Sequence, residues 1–169
     1  QQVLATDPDN SAALQAMLGI SQQVLSQGQQ LLDTGKLAAV DELVSDAASV
    51  GVSDNVVEQL RTGVTNERQR LQTVAELLAQ GLELFNKGLL TEPSKSNAVM
   101  VLRNVQQLDP GNTTAQELLQ RCAQRLVQVA IEARRFGFLA DADQYLALAL
   151  SIQSDSPEWI ELQRQWQSS

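Results

Sequence analysis

A chain of 169 residues, 43% of them hydrophobic, is long enough for one domain that buries roughly two thirds of its unfolded surface without disulfide staples. Its net charge of −8 comes with no basic stripe, which argues against nucleic-acid recognition and against an anionic membrane surface. Histidine is absent, so the commonest general base and metal ligand are missing, and the single cysteine, Cys122, excludes an internal disulfide and leaves the redox compartment open.

The composition favours helix. Leu, Val, Ala and Gln dominate, aromatics make up only 4%, and Gly and Pro are sparse. No apolar run approaches the ~18 residues of a membrane span, so direct membrane insertion is not expected. The sequence opens on Gln1 without an initiator Met, and it is expected to be a piece of a larger protein.

Periodicity predicts about seven helices in an all-α chain. The first runs from about Ser11 to Asp33, capped by Asn10 or Ser11, with Leu14, Leu18, Leu25 and Leu32 on its apolar face. Gly35 supplies the turn, because glycine alone takes left-handed dihedrals at no steric cost. The second helix spans about Leu37 to Val50, with Val40, Leu43, Val44 and Ala47 inward. After Gly51-Val52-Ser53-Asp54 comes the longest, about Asn55 to Lys87, in which Val57, Val64, Leu71, Leu78 and Phe85 recur every seven residues as a coiled-coil-like seam, with Gly63 a candidate kink. The fourth covers about Ser96 to Leu108, the fifth Thr113 to Phe136, and the sixth Leu139 to Ile152. The last opens on Ser156-Pro157, a cap and a first-turn proline, and ends near Trp166.

The chain also repeats. A shift of 102 residues places Asp7-Pro8 on Asp109-Pro110, Asn10 on Asn112, Gly35 on Gly137, Leu37-Ala38 on Leu139-Ala140 and Ala47 on Ala149 without a gap. A less regular copy lies between them, with Gly88 at its turn and an insertion at Thr91-Glu92-Pro93-Ser94-Lys95. The expected organisation is one domain, 1–169: a truncated repeat (1–10), hairpins at 11–52, 53–110 and 111–155, and a capping helix at 156–167.

This pattern resembles the tetratricopeptide repeat, a solenoid of antiparallel helical hairpins. Gly35, Gly88 and Gly137 match that family's turn. Gly28, Gly81 and Ala130 match the small residue of its first helix, and Ala98, Ala142, Ala47 and Ala149 those of its second. Pro110 and Pro8 match its closing proline. The chain departs from the family in three ways. Leu, Val and Ala replace its large aromatics, Val52 and Ser154 stand where proline is expected, and each first helix is longer by about ten residues. The turns are therefore spaced by 53 and 49 residues. The layout is also similar to repeat regions of larger bacterial envelope proteins, through Leu90-Thr91-Glu92-Pro93 and Asp109-Pro110-Gly111-Asn112. That likeness implies the periplasm or cell envelope rather than the cytoplasm, while the residues themselves leave the compartment open.

Little points to chemistry. Asp7-x-Asp9-x-Ser11 begins like a calcium loop but lacks its glycine and has Leu18 at the twelfth position. Asp141 and Asp143, two apart on a helix, do not face each other and suit the helix dipole instead. Cys122 takes the place of Ile20 in the repeat register and reads as a small core residue. No glycine-rich phosphate loop is present. No cofactor or metal is expected, and the chain is not expected to be an enzyme.

The tetratricopeptide resemblance implies a groove lined by the first helices. Its candidate residues are Gln22, Leu25, Gln29 and Leu32, then Leu78, Leu82 and Phe85, then Val127, Ile131, Arg134 and Arg135, a set suited to a protein or peptide partner. The alternative is that the long helices fill that groove themselves. Trp159 and Trp166 either cap the hydrophobic stack or mark a docking edge for the next segment of the protein. The functional expectation is a protein–protein interaction or scaffolding module, with self-association along the third helix as the alternative.

Overall fold

In the computed structural model, residues 10–168 are described, and the regular structure among them consists of seven α-helices and no strand. They are α1 (Ser11–Asp33), α2 (Leu37–Ser49), α3 (Asp54–Asn86), α4 (Ala98–Leu108), α5 (Thr113–Arg135), α6 (Leu139–Ile152) and α7 (Pro157–Gln167). The segment read as a truncated repeat, with Pro8 and the start of the calcium-like loop, lies outside the described residues except for Asn10. α3 is helical through Gly63 without interruption.

Asparagine starts three of these helices. The Oδ1 atoms of Asn10, Asn97 and Asn112 accept hydrogen bonds from the backbone N–H of Ala13 (3.0 Å), Met100 (2.9 Å) and Ala115 (2.9 Å). The cap at Asn97 corrects the expected start of α4 from Ser96 to Ala98. Ser156 holds the capping position before Pro157, but its side chain makes no capping hydrogen bond.

Glycine ends four helices. Gly35, Gly51, Gly88 and Gly137 all have positive φ, from 69° to 84°. Each donates to the carbonyl three residues back, and the next residue donates to the carbonyl five back, as in Lys36 N–H to Leu31 O and Phe138 N–H to Ala133 O, both 2.9 Å. Gly51 belongs to this set, although in the sequence it looks only like part of a connection. Its following residue, Val52, is buried, the apolar contact that often accompanies such a turn.

The shift of 102 residues recurs in the backbone. α1 and α5 are both 23 residues long, and Asn10 (φ −67°, ψ 100°) and Asn112 (φ −68°, ψ 103°) enter them identically. Thr34 and Phe136 leave them with the same dihedrals to within a few degrees, φ −94° and ψ 5° against φ −88° and ψ 4°.

The residues form two compact units, divided between Gln72 and Thr73 within α3. In the first, Val40, Val44 and Ala47 of α2, Val52, and Val57, Leu60 and Val64 of α3 make the core. Leu25 and Leu32 of α1 pack partly against it, and Asp41 pairs with Arg68 across α2 and α3. Leu14 and Leu18, expected on the apolar face of α1, are instead exposed, Leu18 at 63%. The buried positions of α1 are Ser21 and Gly28, so this helix approaches its neighbours through small residues.

In the second unit α5 supplies the longest buried stripe: Ala115, Leu118, Leu119, Cys122, Ala123, Leu126, Val127 and Ala130, with alternating steps of three and one. α4 covers it with Ala98, Val99, Leu102 and Val105, and α6 with Leu146 and Ala149. Burying a side chain such as Leu126 or Leu146 contributes about 2 kcal/mol. The insertion before α4 is held by Asn97, which is 6% exposed and whose Nδ2 donates to the carbonyls of Thr91 (3.0 Å) and Pro93 (3.1 Å).

Candidate interaction sites

In the first unit the chain brings Gln22, Leu25 and Gln29 to one shallow cleft on α1, together with Gln30 and Asp33. Leu32 lies elsewhere, in a cleft of about 380 Å³ with Gly63, Asn66, Glu67 and Arg70. There Arg70 grips Glu67 with two hydrogen bonds, Nε to Oε2 at 2.8 Å and Nη2 to Oε1 at 2.7 Å. The Arg70 hydrogen bond holds the Glu67 carboxyl below its usual pKa against the opposing effect of burial. This is a paired charge on a helix surface.

In the second unit the candidate groove residues have different surroundings. Phe85 and Val127 are buried in the core, Leu78 is half-buried against it, and Leu82, Ile131 and Arg135 are exposed. Arg121 and Arg125 lie over the Phe85 ring, 4.7 and 5.7 Å from its centre, so this aromatic is covered by cations as well as by core. Arg125 Nη1 also donates to the Phe85 carbonyl at 3.4 Å.

Arg134 and Trp166, assigned in sequence to a groove and to a docking edge, form one structure. The guanidinium lies 4.7 Å from the centre of the indole, Nη2 donates to the Trp166 carbonyl at 3.3 Å, and Nη1 stands 3.7 Å from Asp143 Oδ1. Arg134 thus joins the end of α5 to α6 and α7. Trp159 and Trp166 both pack, half-buried, on the core of the unit.

Two features lie beyond the sequence-derived sets. The turn at Gly137 exposes three large apolar side chains in a row: Phe136 at 77%, Phe138 at 61% and Leu139 at 52%. Their signal was in the sequence, as two phenylalanines around a turn glycine. The other is a cleft of about 520 Å³ bordered by α4, α5 and the end of α6. Its residues come together only through the packing of three helices, which no local pattern announces.

Cys122 is fully buried, and burial pushes its thiol up to about 11, against the smaller lowering effects of Arg121 and Arg125. Such a thiol is protonated at neutral pH and is a poor nucleophile. Among the described residues no three His, Cys, Asp or Glu side chains are grouped to hold a metal ion, and no helix is long and apolar enough to cross a membrane. The chain matches no family model, no curated protein and no solved structure.

Proposed function

We propose that the chain is a non-enzymatic protein-interaction or scaffolding module, built as a tetratricopeptide-like stack of antiparallel helical hairpins within a larger bacterial protein. The observation that carries this reading is the turn at Phe136-Gly137-Phe138-Leu139. It exposes three large apolar side chains within four residues on a backbone fixed by the two hydrogen bonds Gly137 N–H to Arg134 O and Phe138 N–H to Ala133 O. Exposed aromatics on a rigid turn offer contact area at low entropic cost, as interaction surfaces do. Arg135 and Ile131, from the candidate groove, are exposed on the preceding helical turns. Helix bounds and caps that recur at 102 residues support the repeat, and the buried glycines and alanines support close helix pairing.

The test is retention of a protein partner by the chain and by two double variants, Phe136→Ser/Phe138→Ser and Arg134→Glu/Arg135→Glu. Loss of the partner in the first, with the melting temperature unchanged, supports the reading; equal retention by the first removes the turn from any interface. A partner that binds the second unchanged removes the arginines from the groove.

Self-association is the second reading, and Leu71 favours it. It sits in the seven-residue seam of α3 yet is 43% exposed. Light scattering decides between the two readings: a mass that stays monomeric over about a hundredfold range of concentration sinks self-association.

A further inference from the structure

We infer that the first half of α1 is a docking face for the segment of this chain that ends at Thr6, which packs there as a helix in the way α4 packs on α5. The inference rests on the repeat in the reading above and names what covers one of its open faces.

The face is defined by a comparison within the chain. The first four residues of the buried stripe of α5, Ala115, Leu118, Leu119 and Cys122, fall 102 residues earlier on Ala13, Ala16, Met17 and Ile20 of α1. All four are apolar, so α1 carries the same stripe. Further along, the two helices agree in burial too: Ser21 and Gly28 are buried like Ala123 and Ala130. In the first half they part. The four residues of α5 are buried, whereas Ala16 and Ile20 of α1 are exposed and Ala13 and Met17 only half-buried. The difference is α4. It packs on α5, and its Ala98, Val99, Leu102 and Val105 are buried in the core the two helices share. Residues 109–112 join it to the start of α5, so it adjoins the half in question. Among the described residues no helix precedes α1. An apolar stripe that is covered in one copy and bare in the other is a face awaiting its helix.

Three further positions name the occupant. Gln106 of α4 and Gln116 and Gln120 of α5 border one cleft. The shift of 102 residues places Leu4, Leu14 and Leu18 at these positions, so a polar trio in one copy is an apolar trio in the other. Leu14 and Leu18 are exposed, and Leu4 is the residue that the register brings to them. Val3 takes the place of Val105, which is fully buried. Asp7-Pro8 and Asn10 repeat the Asp109-Pro110 and Asn112 that lead from α4 into α5, and Asn10 enters α1 with the dihedrals of Asn112 to within a few degrees. The segment before Asp7 thus changes character together with the face, and it is joined to that face by a connection of the same length. An unrelated protein has neither property.

The chain holds two methionines, Met17 on the face of α1 and Met100 in α4, which serves as an internal control. The test extends the full chain at Gln1 by a copy of Asn97–Leu102, with Met100→Leu in the copy, which completes the register of α4 ahead of Val3 and Leu4. Methionine methyl NMR in the presence of a soluble paramagnetic agent reads the exposure of both residues. The expected result is a Met17 signal that is shifted and broadened several-fold less than in the same extended chain carrying Val3→Glu/Leu4→Glu, with Met100 alike in the two, because a carboxylate does not bury on an apolar face. A Met17 signal that is broadened equally in the two overturns the proposal: exposed in both, the face is open; shielded in both, it belongs to another occupant. Shielding that disappears on about a hundredfold dilution also overturns it, since the occupant is then a second copy. A partner still held through Phe136 and Phe138 while Met17 stays unshielded sinks the docking face alone and leaves the interaction module standing.

Discussion

Leu60 of α3 occupies the space that Gly28 of α1 leaves empty. A Cβ on the glycine would stand 2.7 Å from Leu60 Cδ1 and 3.1 Å from its Cγ. The arrangement is reciprocal, because a Cβ on Gly63 of α3 would stand 2.7 Å from Cδ1 of Leu32 on α1. Gly81 receives Leu102 of α4 in the same way in the second unit, with Cγ at 2.9 Å. Leucine into glycine is how these helices pack closely with so few aromatics.

The two halves of the reciprocal pair should respond differently to alanine. Leu60 is almost fully buried and cannot withdraw, so Gly28→Ala sets overpacking of about 1–3 kcal/mol against a gain in helix propensity of about 1. The expected net loss is about 1 kcal/mol, and Gly81→Ala should behave alike against the fully buried Leu102. At Gly63 only the tip of a half-buried Leu32 must move, so Gly63→Ala should be neutral or stabilising by up to ~1 kcal/mol. Urea denaturation of the three variants checks the order; a Gly28→Ala more stable than the parent would mean the close approach is not real.

The turn glycines make a different prediction. Nothing lies within 4 Å of a Cβ built on Gly35, Gly88 or Gly137, so the cost of a side chain there is one of backbone alone. Gly137, at φ 84°, should lose about 1–2 kcal/mol as Ala and about half of that as Asn, which tolerates the left-handed region. Gly111 lacks a positive φ and has open space, so Gly111→Ala should lie within about 0.5 kcal/mol of the parent. Equal losses at Gly111 and Gly137 in thermal melts would rule out this account.

Helix positions and turns were legible because they are written locally. Asn caps, Gly turns and apolar spacing each act within about one helical turn, and the helix ends fell within two residues of those expected. Which face of a helix is covered is not local. Leu14 and Leu18 carry the right period yet are exposed, since the buried contacts of α1 run through Ser21 and Gly28. The same holds for side-chain partners. Arg134 and Trp166 are 32 residues apart, and Phe85 lies 40 from Arg125, so neither stack has a sequence signature. The cleft at Gln153 combines three helices and was invisible for that reason.

Asn97 should be the most sensitive polar residue of the second unit. It caps α4 and holds two carbonyls of the insertion while nearly fully buried. Asn97→Ala removes all three of these hydrogen bonds, for an expected loss of about 2–4 kcal/mol. Asn10→Ala removes one half-buried cap and should cost only about 1 kcal/mol. Amide exchange localises the damage: faster exchange at Ala98 and Val99, which donate to Leu89 and Leu90, is expected in the first variant and not in the second.

Cys122 should give the chain an alkaline instability. Its thiol is raised from an ordinary value of 9.0 to about 11 in the folded state, chiefly by burial. Between those values the folded state keeps a proton that the unfolded chain has lost, so stability falls as pH rises. The contribution is fully present below about pH 8.5–9 and declines until about pH 11, for a total of roughly 2–3 kcal/mol from this one group. Cys122→Ala lacks this dependence. It should therefore be less stable than the parent at pH 7, by about 1–2 kcal/mol for the cavity it opens, and should match the parent or exceed it by up to about 1 kcal/mol at pH 11. Denaturation of both proteins between pH 7 and pH 11 isolates this effect, because every other group is common to the two. A gap that stays constant across that range would mean that the thiol titrates near its ordinary value, and that Cys122 is not sealed in the core between Arg121 and Arg125.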